Sequence, residues 1–240
     1  MGNIEIVGDK KIWLDLCHRV SLFKENVFFE ITAEEVHVRD VDDGHVSLID
    51  VVVFPKAFTK YVVNGHNLLS MDVSVFLKML DLLGDKVCFV YDGKQIVLSD
   101  DDRSVSMKLW NDQYKEIPHV DLKSDFEIIL SSDDLKSILN TAKVFERVRF
   151  KVKGKQFFIE ADSDKAKFEG LLSRKAKKLV KDVKETSSMF SSDYLINVLK
   201  TVMNDNEDVV VRVGMDAPLR FDVVTKYGRV YVLLAPCLEG

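Results

Sequence analysis

Among 240 residues the chain has only 4 prolines, 11 glycines, 3 cysteines and 2 tryptophans. So little proline and glycine excludes collagen-like and low-complexity chains. Cys17, Cys88 and Cys237 lie far apart and form no CxxC or Cys/His pair. They give neither a zinc site nor a disulfide framework, and they fit a reducing interior. No apolar run approaches the ~20 residues of a membrane-spanning helix, and the N-terminal residues do not read as a signal peptide. A phosphate loop, a nucleophile elbow and an HExxH motif are all missing, so the commonest sequence signs of an enzyme are missing too. Net charge is −5, with the acidic excess in the first half and a slight basic excess over residues 121–240. An acidic whole disfavours indiscriminate adhesion to nucleic acid but leaves room for one basic face.

What the chain does have is a repeat. With 47% apolar residues it can bury one or two good cores. Residues 9–110 run helix, strands, hairpin, helix, strands, and residues 131–236 run through that order again. Phe28-Phe29-Glu30-Ile31-Thr32 is echoed by Val148-Arg149-Phe150-Lys151-Val152. A period of about 120 residues is too long for a solenoid unit, so it reads as one domain copied twice. The expected boundaries are 1–110 and 126–240, with polar residues 111–125, including Pro118, as the connector. The first helix is expected from Asp9 to about Phe23, its apolar stripe formed by Ile12, Trp13, Leu16, Val20 and Phe23. A second runs from Asp72 to Leu83, stopped by Gly84. In the second copy, helices open at Ser131-Ser132-Asp133 and Ser191-Ser192-Asp193. Hairpin-length connections imply antiparallel pairing. The expected class is α+β, with both helices of each copy side by side on one sheet face.

Three stretches carry a family resemblance. Val38-Arg39-Asp40-Val41-Asp42-Asp43-Gly44-His45-Val46-Ser47-Leu48-Ile49 looks like the "MD-x-x-HVSL" stretch of sliding clamps. Tyr231-Val232-Leu233-Leu234-Ala235-Pro236 resembles their "YLAP" ending, and Ala217-Pro218-Leu219 after Gly214 fits as well. In this order, on a duplicated domain of this length, they resemble the proliferating cell nuclear antigen family, especially its archaeal members, over essentially the whole chain.

The resemblance implies a six-domain ring of three chains that encircles duplex DNA, slides along it and catalyses nothing. It implies helices that line the hole and DNA contacts loose enough to permit sliding. The implied channel residues are Lys10, Lys11, His18, Arg19, Lys78, Lys136, Lys143 and Lys200 on outward helix faces. Leu14, Asp15, Asp81 and Asn140 stand where relatives often have basic residues. The implied partner-peptide pocket takes His45, Val46 and Leu48, connector residues Ile117 and Pro118, and Pro218, Leu233, Ala235 and Pro236. It suits one aliphatic and two aromatic anchors. Implied clients are DNA polymerase, the clamp loader, flap endonuclease and DNA ligase, for replication and DNA repair. The implied place is the cytoplasm of an archaeal cell, at the nucleoid, or the nucleus in a eukaryote.

The basic run Arg174, Lys175, Lys177, Lys178 and Lys181 lacks interleaved aromatics, so it is no single-strand platform. By resemblance it marks an edge strand that meets a neighbour's edge near Ser104, Met107 and Leu109, behind Asp100-Asp101-Asp102. Three alternatives stay open. One is a subunit that works only in a heterotrimer. Another is a monomeric, virus-type processivity factor. The third is a metal-dependent phosphoesterase built on Asp40, Asp42, Asp43 and His45, although acids in a turn usually bond their own backbone. No metal and no cofactor is expected.

Overall fold

A computed structural model describes residues 4–237 except 111–112, 119, 121, 123 and 180–182, and leaves aside the side chains of 178, 179, 183, 184 and 201. The chain divides into two compact units, Met1–Pro118 with Thr225–Val230, and His119–Val224 with Tyr231–Gly240.

In the first unit the elements are β1 (Ile4–Asp9), α1 (Lys10–Val20), β2 (Asn26–Ile31), β3 (Val36–Val41), β4 (Ser47–Val53), β5 (Lys60–Val63), β6 (Asn67–Asp72), α2 (Val73–Asp81), β7 (Lys86–Tyr91), β8 (Gln95–Ser99) and β9 (Ser104–Lys108). One sheet has the order β5-β1-β7-β8-β9, and a second runs β4-β3-β2-β6. Pairing is antiparallel in both. The second unit holds β10 (Phe126–Ser131), α3 (Ser132–Ala142), β11 (Arg147–Gly154), β12 (Gln156–Asp162), β13 (Lys167–Leu171), β14 (Lys178–Leu179), β15 (Val183–Ser191), α4 (Ser192–Val202), β16 (Asp208–Val213) and β17 (Leu219–Val224). Its sheets run β13-β12-β11-β15 and β14-β10-β16-β17. A last strand, β18 (Gly228–Leu234), begins in the first unit and ends in the second.

The duplication extends to single hydrogen bonds. Lys10 N–H donates to Asp85 O at 2.7 Å, and Ser132 N–H donates to Glu207 O at 2.8 Å. Val73 N–H reaches Glu25 O at 2.9 Å, and Ser192 N–H reaches Glu146 O at 3.0 Å. Ile6 pairs with Phe89 as Ile128 pairs with Val211. Three helix starts are capped by side chains: Asp9 accepts from Lys11 N–H, Asp72 from Val75 N–H and Ser131 from Asp134 N–H.

Each core is aromatic. Trp13 is fully buried among Phe89, Phe76 and Phe58. In the second unit Phe150 meets Phe157, Phe190 and Phe221. Each of these rings buries a large apolar area at the centre of its core.

Two local expectations change, and one strand is added. The helices do not share a single sheet: α1 contacts β1 and β4, and α2 contacts β6 and β9, so each touches a strand of both sheets. Gly84 is no left-handed cap, because α2 already ends at Asp81 and the Gly84 N–H donates to Asp100 Oδ2 at 2.7 Å. The strand β5 lacks a strong sequence signal, since its four residues stand at a sheet edge and are half exposed. Among the described residues no helix is long and apolar enough to cross a membrane.

Candidate functional site

The four helices bury one stripe each and turn the opposite face outward. Lys11, His18, Lys78, Lys143 and Lys200 are exposed. Lys10 and Lys136 are half buried, because each ammonium binds the C-terminal end of the helix beside it. Lys10 donates to Leu83 O at 2.7 Å, and Lys136 donates to Met203 O at 2.7 Å and Asp205 Oδ1 at 3.0 Å. A cation there meets carbonyls with no partner inside the helix.

Arg19 departs from its expected outward place. It is 1% exposed, with Nε donating to Asp15 Oδ2 at 3.0 Å. The cause is helical spacing: position 19 lies three residues after Leu16 and seven after Ile12, on the buried stripe.

The turn joining β3 to β4 is built by Asp42. Its carboxylate accepts Val46 N–H at 2.9 Å and Ser47 N–H at 2.7 Å, while its carbonyl accepts His45 N–H at 2.9 Å. His45 holds φ 52°, a left-handed conformation that costs a non-glycine residue energy. The turn lifts Val46 to 37% exposure and buries Leu48. Asp40 turns away, buried, to accept Lys24 Nζ at 2.9 Å. Asp40 and Asp42, two acids of the phosphoesterase alternative, therefore serve separate structural tasks, and Asp43 is exposed. Among the described residues no three His, Cys, Asp or Glu side chains are grouped to hold a metal ion.

Connector residues 113–118 lie over the outer face of β2 and β3 in the first unit. Tyr114 meets Phe28 edge-on, with ring centroids 5.2 Å apart, and Arg39 Nη2 donates to Pro118 O at 2.7 Å. Between them runs a groove of about 630 Å³, lined by Lys24, Asn26, Phe28, Arg39, His45 and the connector itself.

The sequence reading missed a charged row beside this groove. His66 Nε2 lies 2.6 Å from Glu30 Oε1, and Glu30 Oε2 lies 3.2 Å from His37 Nδ1. His37 Nε2 is 3.2 Å from Asp50 Oδ2, which is 3.5 Å from Arg39 Nη1. Burial opposes protonation of His37, but hydrogen bonds from Asp50 and Glu30 and the charges of Asp50 and Glu35 outweigh it and raise the imidazole pKa. Burial likewise opposes ionisation of Glu30, yet hydrogen bonds from His66 and His37 hold its carboxyl below the ordinary value. Alternating outward polar residues on β3 were the available signal.

In the second unit, Pro218 follows a loop held by the buried Ser188. The Ser188 hydroxyl lies 2.9 Å from Gly214 O and accepts Ala217 N–H at 3.0 Å. Asp125 accepts Met215 N–H at 3.0 Å and the Thr186 hydroxyl at 3.1 Å. Leu233 is buried, Ala235 and Pro236 are half exposed, and Cys237 N–H donates to Met189 O at 2.7 Å.

The residues expected at the subunit edges differ in exposure and pairing. β9 is the outermost strand of its sheet, with Ser104 exposed. Met107, however, is 8% exposed and points inward, and Leu109 lies beyond the strand end. In the second unit β13, Lys167–Leu171, which precedes the basic run, is one edge strand of its sheet, and β14, within the run, is the edge strand of the other. That run forms a 3-10 turn, Ser173–Lys175, and β14, which pairs with β10. Lys175 Nζ donates to Asp134 Oδ1 at 2.7 Å, an ion pair that holds the Asp134 carboxyl below its ordinary value. Lys177 Nζ donates to Asp208 Oδ1 and Lys177 N–H to Ile129 O. These lysines are thus neutralised within their own unit. Arg174 is exposed, Lys178 is placed as a strand residue, and Lys181 lies outside the described residues. Asp100, from the acidic run, caps its own turn, accepting from Gly84, Asp102 and Arg103.

Comparison with known proteins gives a consistent result. A family model of the proliferating cell nuclear antigen N-terminal domain matches residues 16–134. A DNA polymerase sliding clamp of Methanococcoides burtonii is 27% identical over 250 residues, covering 97% of each chain. The crystal structure of PCNA from Thermococcus kodakaraensis superposes with a TM-score of 0.88 at 22% identity, covering 98% of this chain and 100% of that one. That of A. fulgidus PCNA bound to the C-terminal region of FEN-1 gives 0.89 at 19% identity, covering 99% of each. At such identities the two structures speak for the fold alone.

Proposed function

We propose, from the premise that this chain belongs to the proliferating cell nuclear antigen family of DNA polymerase sliding clamps, that three copies close into a ring that tethers enzymes to duplex DNA. The repeats, 1–110 and 126–240, each supply a wall of the ring, and 111–125 connects them. The sheet edges β9 and β13 meet head to tail between copies, which removes two unpaired edges per chain. The outward helix faces, with Lys11, His18, Lys78, Lys143 and Lys200, turn toward the enclosed duplex. Few cations suffice, because a closed ring is retained topologically, and each tight phosphate contact would slow sliding. The protein is a processivity factor, not an enzyme. Polymerase, clamp loader, flap endonuclease and ligase engage it through a short peptide with one aliphatic and two aromatic anchors. The peptide contacts His45, Val46, Leu48, Ile117, Pro118, Pro218, Leu233, Ala235 and Pro236, and no metal or cofactor takes part. Its place is with the chromosome in the cytoplasm of an archaeal cell.

The observation that carries this reading is the match to a sliding clamp along 97% of the chain, which takes in both repeats. The test is retention on DNA. Loaded protein stays on a nicked circle and runs off once the circle is cut. Equal loss from circular and linear DNA overturns the ring.

A heterotrimer is a second reading, favoured by one feature. If β9 and β13 of identical copies paired antiparallel end to end, the exposed Lys108 would stand opposite the exposed Lys167. Like charges directly opposed weaken strand pairing. Light scattering of the chain alone separates the two readings: a trimer mass supports self-assembly, and a monomer supports sister subunits.

A further inference from the structure

We propose that Arg39 is a positioning residue for the partner-peptide site, gripping the connector from β3 while Asp50 and His37 hold its guanidinium in place. This rests on the peptide-site reading above. The Arg39 side chain is 12% exposed and spans two acceptors, Pro118 O at 2.7 Å through Nη2 and Asp50 Oδ2 at 3.5 Å through Nη1. The register Arg39↔Asp50 places the two residues directly across the β3–β4 ladder. Asp50 is 5% exposed and also faces His37 Nε2 at 3.2 Å. The opposite side of His37 faces Glu30, which in turn meets His66. A row of alternating acids and bases thus crosses the sheet and ends on a connector carbonyl.

The connector meets the sheet at two described points, Tyr114 on Phe28 and Pro118 on Arg39, with the groove between them. Ile117 and Pro118 are the connector residues assigned to the peptide site. Arg39 therefore fixes that wall before a peptide arrives, and the peptide is spared the cost of ordering it. Lysine is no equivalent, because one ammonium on a flexible stem lacks the planar fork that reaches both acceptors at once.

The experiment uses the full chain, a synthetic peptide with the three anchors, and amide hydrogen exchange. Arg39→Met is expected to weaken peptide binding about tenfold, the size of one charge-assisted hydrogen bond. Exchange at Tyr114–Ile117 rises in that variant while β2 and β3 keep their protection. Arg39→Lys recovers only part of the affinity. Asp50→Asn added to Arg39→Met costs little more than Arg39→Met alone, since the two act as a unit. Unchanged binding with unchanged connector exchange overturns the proposal. So does exchange that rises equally in β2 and β3, which marks a merely structural arginine. If the wild-type chain binds no peptide, the peptide-site reading fails, and exchange in the free chain still decides whether Arg39 holds the connector.

Discussion

Trp13 of α1 lies nearly flat on Phe89 of β7, ring centroids 5.0 Å and planes 18° apart. A helix residue and a strand residue far apart in sequence thus form the centre of the first core. Trp13→Ala leaves a large void at this point, and deletions of this kind cost about 3–5 kcal/mol. Urea unfolding is expected to show a lowered midpoint with an unchanged slope.

Arg19 and the exposed helix lysines separate two kinds of charge. Replacing Lys11, Lys78 and Lys200 together by Ala is expected to flatten the dependence of DNA affinity on salt, by at most about 0.9 per lost phosphate contact. Arg19→Ala is expected to leave that slope alone and to lower thermal stability, because it strips Asp15 of its ion pair at a buried position. Salt titrations of DNA binding, with melting curves alongside, check both.

Asp42 holds the β3–β4 turn from within. In Asp42→Ala two backbone N–H groups lose their acceptor, and the left-handed His45 loses its support. Peptide affinity is expected to fall about fivefold to thirtyfold, for one or two hydrogen bonds, at unchanged assembly mass. Calorimetry and light scattering measure the two.

The His37–Glu30 pair predicts a pH window. His37 has a raised pKa, so its contribution to stability is complete below the ordinary histidine value of ~6.5 and is lost as pH rises through the raised one. Glu30 has a lowered pKa, so its contribution is complete above ~4.3 and is lost as pH falls through the lowered one. The melting-temperature gap between wild type and His37→Gln is expected to be widest near pH 5–6 and to narrow by pH 9. A gap constant across that range contradicts the assignment.

The edge strands make the last prediction. Lys177→Glu is expected to cost less than about 1 kcal/mol, since its pair with Asp208 is about half exposed, and to leave assembly mass unchanged. Glu169→Arg adds positive charge to β13 and is expected to shift light-scattering mass toward the monomer.

The large features were legible because they repeat. Helical stripes, cap residues and turn chemistry occur in both halves, so each copy corroborates the other. The helix start at Asp9 follows from local rules, and Asp9 does cap α1. The basic run stands out in sequence, but its ion pairs do not. Which acid neutralises a lysine is decided by folding, here Asp134 and Asp208. The row from His66 to Arg39 was hidden for the same reason. Its members are scattered over four segments and meet only when β2, β3 and β4 align. Arg19 was the exception, since its place on the buried stripe could have been read directly.

Lys10 and Lys136 cap neighbouring helices from different positions, the first residue of α1 and the fifth of α3. The halves share a backbone plan but meet the same electrostatic need from different helix positions. A chimera with α3 grafted in place of α1 would set serine where Lys10 stands and lysine where Leu14 stands. The two copies have therefore drifted past interchangeability, and their symmetry survives in the main chain and not in the wiring laid over it.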